Sequence, residues 1–265
     1  MNRWVFVALL FLCSAGILIA FARARSRAVF EQDGFVSGGR KAAALVLLVL
    51  VLLLTVAIPF AGGMAGGQPD SKQLSLVSLF AVHAILIVFL LGYYLLSGRR
   101  SPLEFLGLSS PKPLADLSAG VLIGSAGWLF TMMAAVVGAA LWLAVRARVA
   151  GVSASSALSP TILWILAQPV WVRIAIVVSA MVVEELFFRS FLQTRVGPVA
   201  ATLMFTAAHG VYGQPLFLVG IVVISTVMSV TFNRYRNVLP CIAAHGTFDA
   251  IQMFVVIPAA VKLVG

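Results

Sequence analysis

The chain has 265 residues, 62% of them hydrophobic and only 10% charged, with a mean hydropathy of +1.10. That composition excludes a soluble globular domain and describes an integral membrane protein. The formal net charge of +10 has no soluble basic domain to carry it, so it reads as membrane-flanking charge beside anionic headgroups, and no nucleic-acid partner is expected.

Crossing a hydrocarbon core of roughly 30 Å takes about 20 apolar residues. Eight runs qualify, in chain order roughly 4–22, 42–60, 74–97, 118–145, 172–194, 198–212, 215–233 and 238–260. The expected fold class is therefore all-α, a polytopic integral membrane helix bundle of about eight transmembrane helices. The first run is flanked by Arg3 before it and by Arg23, Arg25 and Arg27 after it, the pattern of a retained anchor with its N-terminus outside, not of a cleaved secretory signal. From that start, alternate connections place twelve of the 18 Lys and Arg residues inside and six outside, a positive-inside bias. The sixth run is short, which implies tilt or shielding by neighbours.

Connections are short. The stretch AGGMAGGQPDSK (61–72) reads as an external loop and GRRSPLEFLGLSSPKPLADL (98–117) as an internal one. Residues 149–170 begin as a Ser/Ala/Gly loop and become a short apolar segment that suits the membrane interface. Cys13 and Cys241 lie inside apolar runs with no CxxC spacing, so neither a disulfide framework nor a thiolate metal site is indicated.

By chemistry the chain divides into N-terminal transmembrane helices over 1–159, about four spans, and a polar-bearing core over 160–265, also about four, where the function is expected. Spans before residue 160 are nearly pure Leu, Val, Ala, Phe and Gly, with His83 the titratable exception. His83 is read as structural, a hydrogen-bonding residue between helices. Spans after residue 170 collect Glu184, Glu185, Arg189, His209, His245 and Asp249. An ionisable side chain at the centre of a spanning helix costs about 2.5–3.5 kcal/mol on insertion scales, so such residues need partners or a wet cavity.

Helical spacing sorts them, because positions four apart share a face. In MVVEELFFRSF, Glu185 and Arg189 are four apart and suited to an ion pair, which leaves Glu184 on a neighbouring face as the carboxylate without a local partner. In PVAATLMFTAAHG the same spacing joins Phe205 to His209, and Gly210 and Gly213 follow as helix terminators. In PCIAAHGTFDAIQ it joins His245 to Asp249. Glu184 is then a candidate general base, His209 a second holder of the same water, and His245 a donor to an oxyanion, which together are the parts of amide hydrolysis. Phe187, Phe188, Phe205 and Phe248 read as packing.

EELFFR fits the pattern EExxxR, FTAAH fits FxxxH and HGTFD fits HxxxN/D, in that order along residues 160–260. The sequence thereby resembles the CAAX protease and bacteriocin-processing family, also called Abi, whose best-known members are the type II CAAX prenyl endopeptidases, glutamate-dependent intramembrane proteases. The resemblance implies that Glu184 and His209 activate water, that His245 and Asp249 stabilise the oxyanion, and that Glu185, Arg189 and Phe205 support them. It implies no cofactor and no metal, a membrane-protein or lipidated-peptide substrate, and multi-pass residence in a prokaryotic cytoplasmic membrane. The prenyl endopeptidases carry asparagine where this chain has Asp249, and ionised aspartate cannot donate a hydrogen bond. Three other functions compete. Glu184, His209, His245 and Asp249 are plausible zinc ligands, although no HExxH pair is present. A proton-coupled carrier would use the same residue types, although no inverted repeat is visible. Members of the family are also associated with bacteriocin immunity, which would make the chain a non-catalytic immunity or scaffold protein.

Overall fold

A computed structural model describes residues 3–66, 75–146, 160–212 and 215–264. Every regular element among them is helical. The main helices are α1 (Arg3–Ser26), α2 (Gly38–Met64), α3 (Leu76–Leu96), α4 (Pro113–Arg146), the short α5 (Pro160–Leu166), α6 (170–196), α7 (Pro198–Ala208), α8 (Pro215–Tyr235) and α9 (239–264). Each of the eight apolar runs forms a helix. The segment expected at the interface contributes α5, while its residues 149–159, together with 67–72 of the external loop and Gly213, lie outside the described residues.

Six of the helices are long and apolar enough to cross a membrane: α1, α2, α3, Pro113–Gly138 of α4, Phe217–Tyr235 of α8 and Leu239–Lys262 of α9. The other two expected spans fall short for different reasons. Helix α6 carries Arg173, Glu184, Glu185, Arg189 and Arg195. Helix α7 has 11 residues, about 16 Å of rise. Both are shielded by protein. Seven consecutive residues of α6, Phe187 to Gln193, are buried, as are Ala201, Thr202, Met204, Phe205 and Thr206 of α7. The polar half of α6 is thus enclosed by protein, while the exposed side chains of the two helices, among them Trp171, Ile174, Val199 and Leu203, are apolar.

Helix ends follow local chemistry. Ser75 and Ser78 form a reciprocal capping box at α3, and the Ser37 side chain accepts from the Arg40 amide at α2. Proline opens α4, α5, α7 and α8, where its missing N–H is not needed. Three helices contain π turns, over Leu53–Ala57 of α2, Leu186–Gln193 of α6 and Gln252–Val256 of α9.

Connections assigned to the same side of the membrane meet in space. Asp33, in the turn after α1, accepts two hydrogen bonds from Arg195, at 2.6 and 3.2 Å, and one from the Tyr93 hydroxyl at 2.7 Å, with Arg99 at 3.7 Å. In the first turn of α4, Asp116 accepts from Asn237, just ahead of α9, at 2.9 Å.

Small residues set the closest approaches, as membrane helices require where backbones pack directly. Gly120 and Gly124, one turn apart on α4, face Pro240 and Ala244 of α9, and a Cβ on either would strike a carbonyl oxygen there. On the other side of α9, Gly246 admits Met181 of α6. Near the end of α2, Gly63 lies against the carbonyl of Gly210, the residue after His209. The core between α3 and α6 is aromatic: Phe89 and Tyr93 lie edge-on to Phe191 with ring centroids 5.2 and 4.6 Å away.

Candidate active site

The paired glutamates sit where α6 changes geometry. The helix is α through Glu185 and π over Leu186–Gln193. The wider π turn is characteristic of functional segments in helices. Here it carries Arg189 beneath the glutamates and packs Phe187, Phe188 and Phe191 around it.

Glu185 and Arg189 are both 0% exposed, so neither charge is tolerable alone. Arg189 donates through Nε to Glu185 Oε2 at 3.2 Å and through a terminal nitrogen to Ser225 Oγ of α8 at 3.0 Å. Its guanidinium lies 4.8 Å from the centre of the Phe205 ring, a cation–π contact that also covers a face of α7. The second oxygen of Glu185 is 2.8 Å from Nδ1 of His245. Both carboxylate oxygens are therefore engaged, and Glu185 ties α6 to α9.

Glu184 points elsewhere. Its Oε1 lies 3.2 Å from His83 Nε2 on α3, and Oε2 lies 3.8 Å from His209 Nε2. The latter gap is too long for a hydrogen bond, and Oε2 is buried with no hydrogen-bond partner among the described residues. His209 begins the tight turn His209–Tyr212 that ends α7. Its Nδ1 is 2.9 Å from the carbonyl of Phe205, which can only accept, so Nδ1 carries the hydrogen. In the neutral ring Nε2 is then a bare lone pair aimed at Glu184. Two acceptors then face each other, an arrangement that a water donating one hydrogen to each would satisfy.

His245 lies between carboxylates, with Nδ1 on Glu185 and Nε2 3.3 Å from Asp249 Oδ2. The i, i+4 pairing read from the sequence is present, and both ring nitrogens have acceptors. Phe205 spaces the two histidines, its ring 4.5 Å from His209 and 6.1 Å from His245. Tyr212 stacks on His209 at 6.1 Å.

The structure thus brings Glu184 to His209, and Glu185 to Arg189 and His245, with Asp249 on the far nitrogen of His245 and Phe205 between the two groups. It adds His83, whose Nδ1 is 2.7 Å from Ser179 Oγ of α6. His83 was read as structural because the sequence offers it no motif and no neighbour; only the packing of α3 on α6 shows what it faces. Its isolation as the one ionisable side chain in the early spans was the available signal. Among the described residues, no group of three or more His, Cys, Asp or Glu side chains is disposed to hold a metal ion. A groove of about 490 Å³ opens between α4, α6 and α9, lined by residues that include Leu117, Val121, Met181, Ile242 and Gly246 and by none of the ionisable residues above.

The fold and this buried polar centre define a multi-pass helical membrane protein whose ionisable residues are gathered within the bundle. Residues 166–251, about a third of the chain, match the family model described as type II CAAX prenyl endopeptidase Rce1-like. No curated protein and no solved structure matched the chain. The matched segment is similar to that family of membrane proteases and contains Glu184, Glu185, Arg189, Phe205, His209, His245 and Asp249. His83 lies outside it.

Proposed function

We propose that the protein is an intramembrane endopeptidase that hydrolyses peptide bonds in membrane-associated or lipidated protein substrates with a water activated by Glu184 and His209. The observation that carries this reading is the buried Oε2 of Glu184, which has no hydrogen-bond partner among the described residues and faces His209 Nε2 at 3.8 Å. A water held there donates to both acceptors and keeps its lone pair for attack.

In the reaction the water oxygen adds to the substrate carbonyl carbon as its proton passes to Glu184. The carbonyl oxygen becomes an oxyanion and needs a donor at that moment. His245 supplies it. Flanked by Glu185 at Nδ1 and Asp249 at Nε2, the ring carries a hydrogen on each nitrogen as an imidazolium, and Nε2–H is the mobile donor, facing Asp249 before substrate arrives. Asp249 has a side chain 29% exposed and is free to yield its place to the oxyanion. Collapse of the tetrahedral intermediate breaks the C–N bond, and Glu184 returns its proton to the departing amine. Arg189 keeps the Glu185–His245 pair charged and fixed. The lateral apolar groove suits the hydrophobic portion of a substrate arriving from the lipid.

Protein termini should be compared by mass spectrometry in membranes from cells carrying the wild-type protein and cells carrying Glu184→Gln at matched expression. Termini that vanish with the substitution establish proteolysis and name the substrates. Identical termini, with a deletion phenotype rescued by both versions, would replace the protease reading with an immunity or scaffold role.

A further inference from the structure

We infer that His83, oriented by Ser179, is a positioning residue that sets which oxygen of Glu184 faces the water. The inference rests on the proposed role of Glu184 and extends the site to α3, outside the segment that resembles a protease.

A glutamate carboxylate turns easily about its last torsion, where the energy well is broad and nearly two-fold. Left alone, Glu184 would exchange its oxygens and present neither steadily. His83 Nε2 at 3.2 Å holds Oε1, so Oε2 is the oxygen left facing His209. That clamp works only if Nε2 bears the hydrogen, because an unprotonated Nε2 would set a lone pair against a carboxylate. Ser179 Oγ, 2.7 Å from Nδ1, supplies the condition: its hydroxyl donates to Nδ1 and leaves the proton on Nε2. The order is Ser179 to His83 to Glu184, with donors and acceptors consistent throughout. A partner on the far nitrogen that fixes tautomer and ring orientation is the same device that steadies histidines at metal centres.

The distance is fixed by packing. Below His83 on α3, Phe89 meets Phe187 with ring centroids 5.7 Å apart, and Tyr93 meets Phe191 at 4.6 Å. Both aromatic partners belong to the π turn that follows the glutamates, so the contact that seats α3 also seats α6.

The test compares His83→Ala, His83→Gln, Ser179→Ala and Glu184→Gln in the purified full-length protein. The substrate is a synthetic peptide spanning a cleavage site identified by its Glu184-dependent terminus. His83→Ala should lower kcat about 10- to 100-fold with KM within about twofold of wild type, the scale expected when a reacting group loses its alignment. His83→Gln keeps an N–H donor at comparable reach and should recover most of that loss. Ser179→Ala should cost about 3- to 10-fold, since the His83 tautomer is then no longer imposed. A merely structural His83 would instead lower thermal stability, with glutamine no better than alanine in kcat. Should His83→Ala fail to fold, the glutamine and Ser179 variants decide: a Ser179→Ala protein with wild-type kcat beside an inactive His83→Gln overturns the relay. Wild-type kcat in His83→Ala beside an inactive Glu184→Gln overturns this inference alone. A fully active Glu184→Gln removes the water-activation reading and the inference with it.

Discussion

Glu184 and Glu185 are adjacent in the chain, yet their carboxylates serve different helices: Glu184 meets His83 of α3 and faces the His209 turn, whereas Glu185 is shared between Arg189 of its own helix and His245 of α9. About 100° separates neighbouring side chains on a helix, which suffices to divide one EE pair into a carboxylate with an open oxygen and one fully satisfied. The division predicts opposite phenotypes for their removal.

Loss of Glu184 should be a defect in chemistry with the fold intact. Glu184→Gln keeps the volume and the contact with His83 but cannot accept the proton of water, so turnover should fall by about 10²- to 10⁴-fold, the range general base catalysis supplies. His209→Ala should fall within the same range. Melting temperature measured in detergent should stay close to that of the wild type for Glu184→Gln. A large drop in stability there would show that the carboxylate is structural.

Loss of Arg189 should be a defect in folding. Both members of the Glu185–Arg189 pair are 0% exposed, and removing one partner of a buried pair costs about 3–5 kcal/mol because the other is left uncompensated. Arg189→Ala should therefore lower the unfolding midpoint steeply and reduce accumulation in the membrane. Arg189→Met is expected to be little better, since Glu185 and the Phe205 face lose the cation in either case. Denaturant titration of the purified variants in matched detergent separates this outcome from the behaviour of Glu184→Gln.

Packing makes a third prediction. A Cβ on Gly124 would strike the carbonyl of Ala244, the residue before His245, whereas one on Gly138 of the same helix meets nothing within 4 Å. Gly124→Ala should destabilise by about 1–3 kcal/mol, the usual cost of overpacking, and should impair activity through displacement of α9. Gly138→Ala should be neutral or slightly stabilising, because alanine is the better helix former. Equal melting temperatures for the two variants would show that α4 and α9 do not pack through these glycines.

What was legible in the sequence follows from what helical spacing encodes. Within one helix, four-residue spacing correctly paired Glu185 with Arg189, Phe205 with His209, and His245 with Asp249, since those contacts are local. Apolar run length gave the helices, and α7 was recognisable as too short to cross unaided. Contacts between helices were not legible: nothing in a run of Leu, Val and Phe says that His83 reaches Glu184, and nothing in EELFFR says that the helix widens into a π turn at Leu186. The role of Glu185 as the seat of His245 was hidden for the same reason, since it spans 60 residues of sequence.

Asp249 supplies the last prediction. Its Oδ2 lies 3.3 Å from His245 Nε2, and in its ionised form it offers the substrate oxyanion no donor. Asparagine has nearly the same shape, keeps one oxygen to accept from His245 and adds an N–H pair. Asp249→Asn should therefore leave the fold unchanged and hold or raise kcat, because the oxyanion gains a second donor while His245 keeps its orientation. Asp249→Ala removes orientation and donor together and should lower kcat about tenfold or more. Kinetics on a Glu184-dependent cleavage site distinguish the cases: a sharp loss in Asp249→Asn, comparable to that in Asp249→Ala, would show that the negative charge beside the imidazolium is itself required and that an amide oxygen does not replace it.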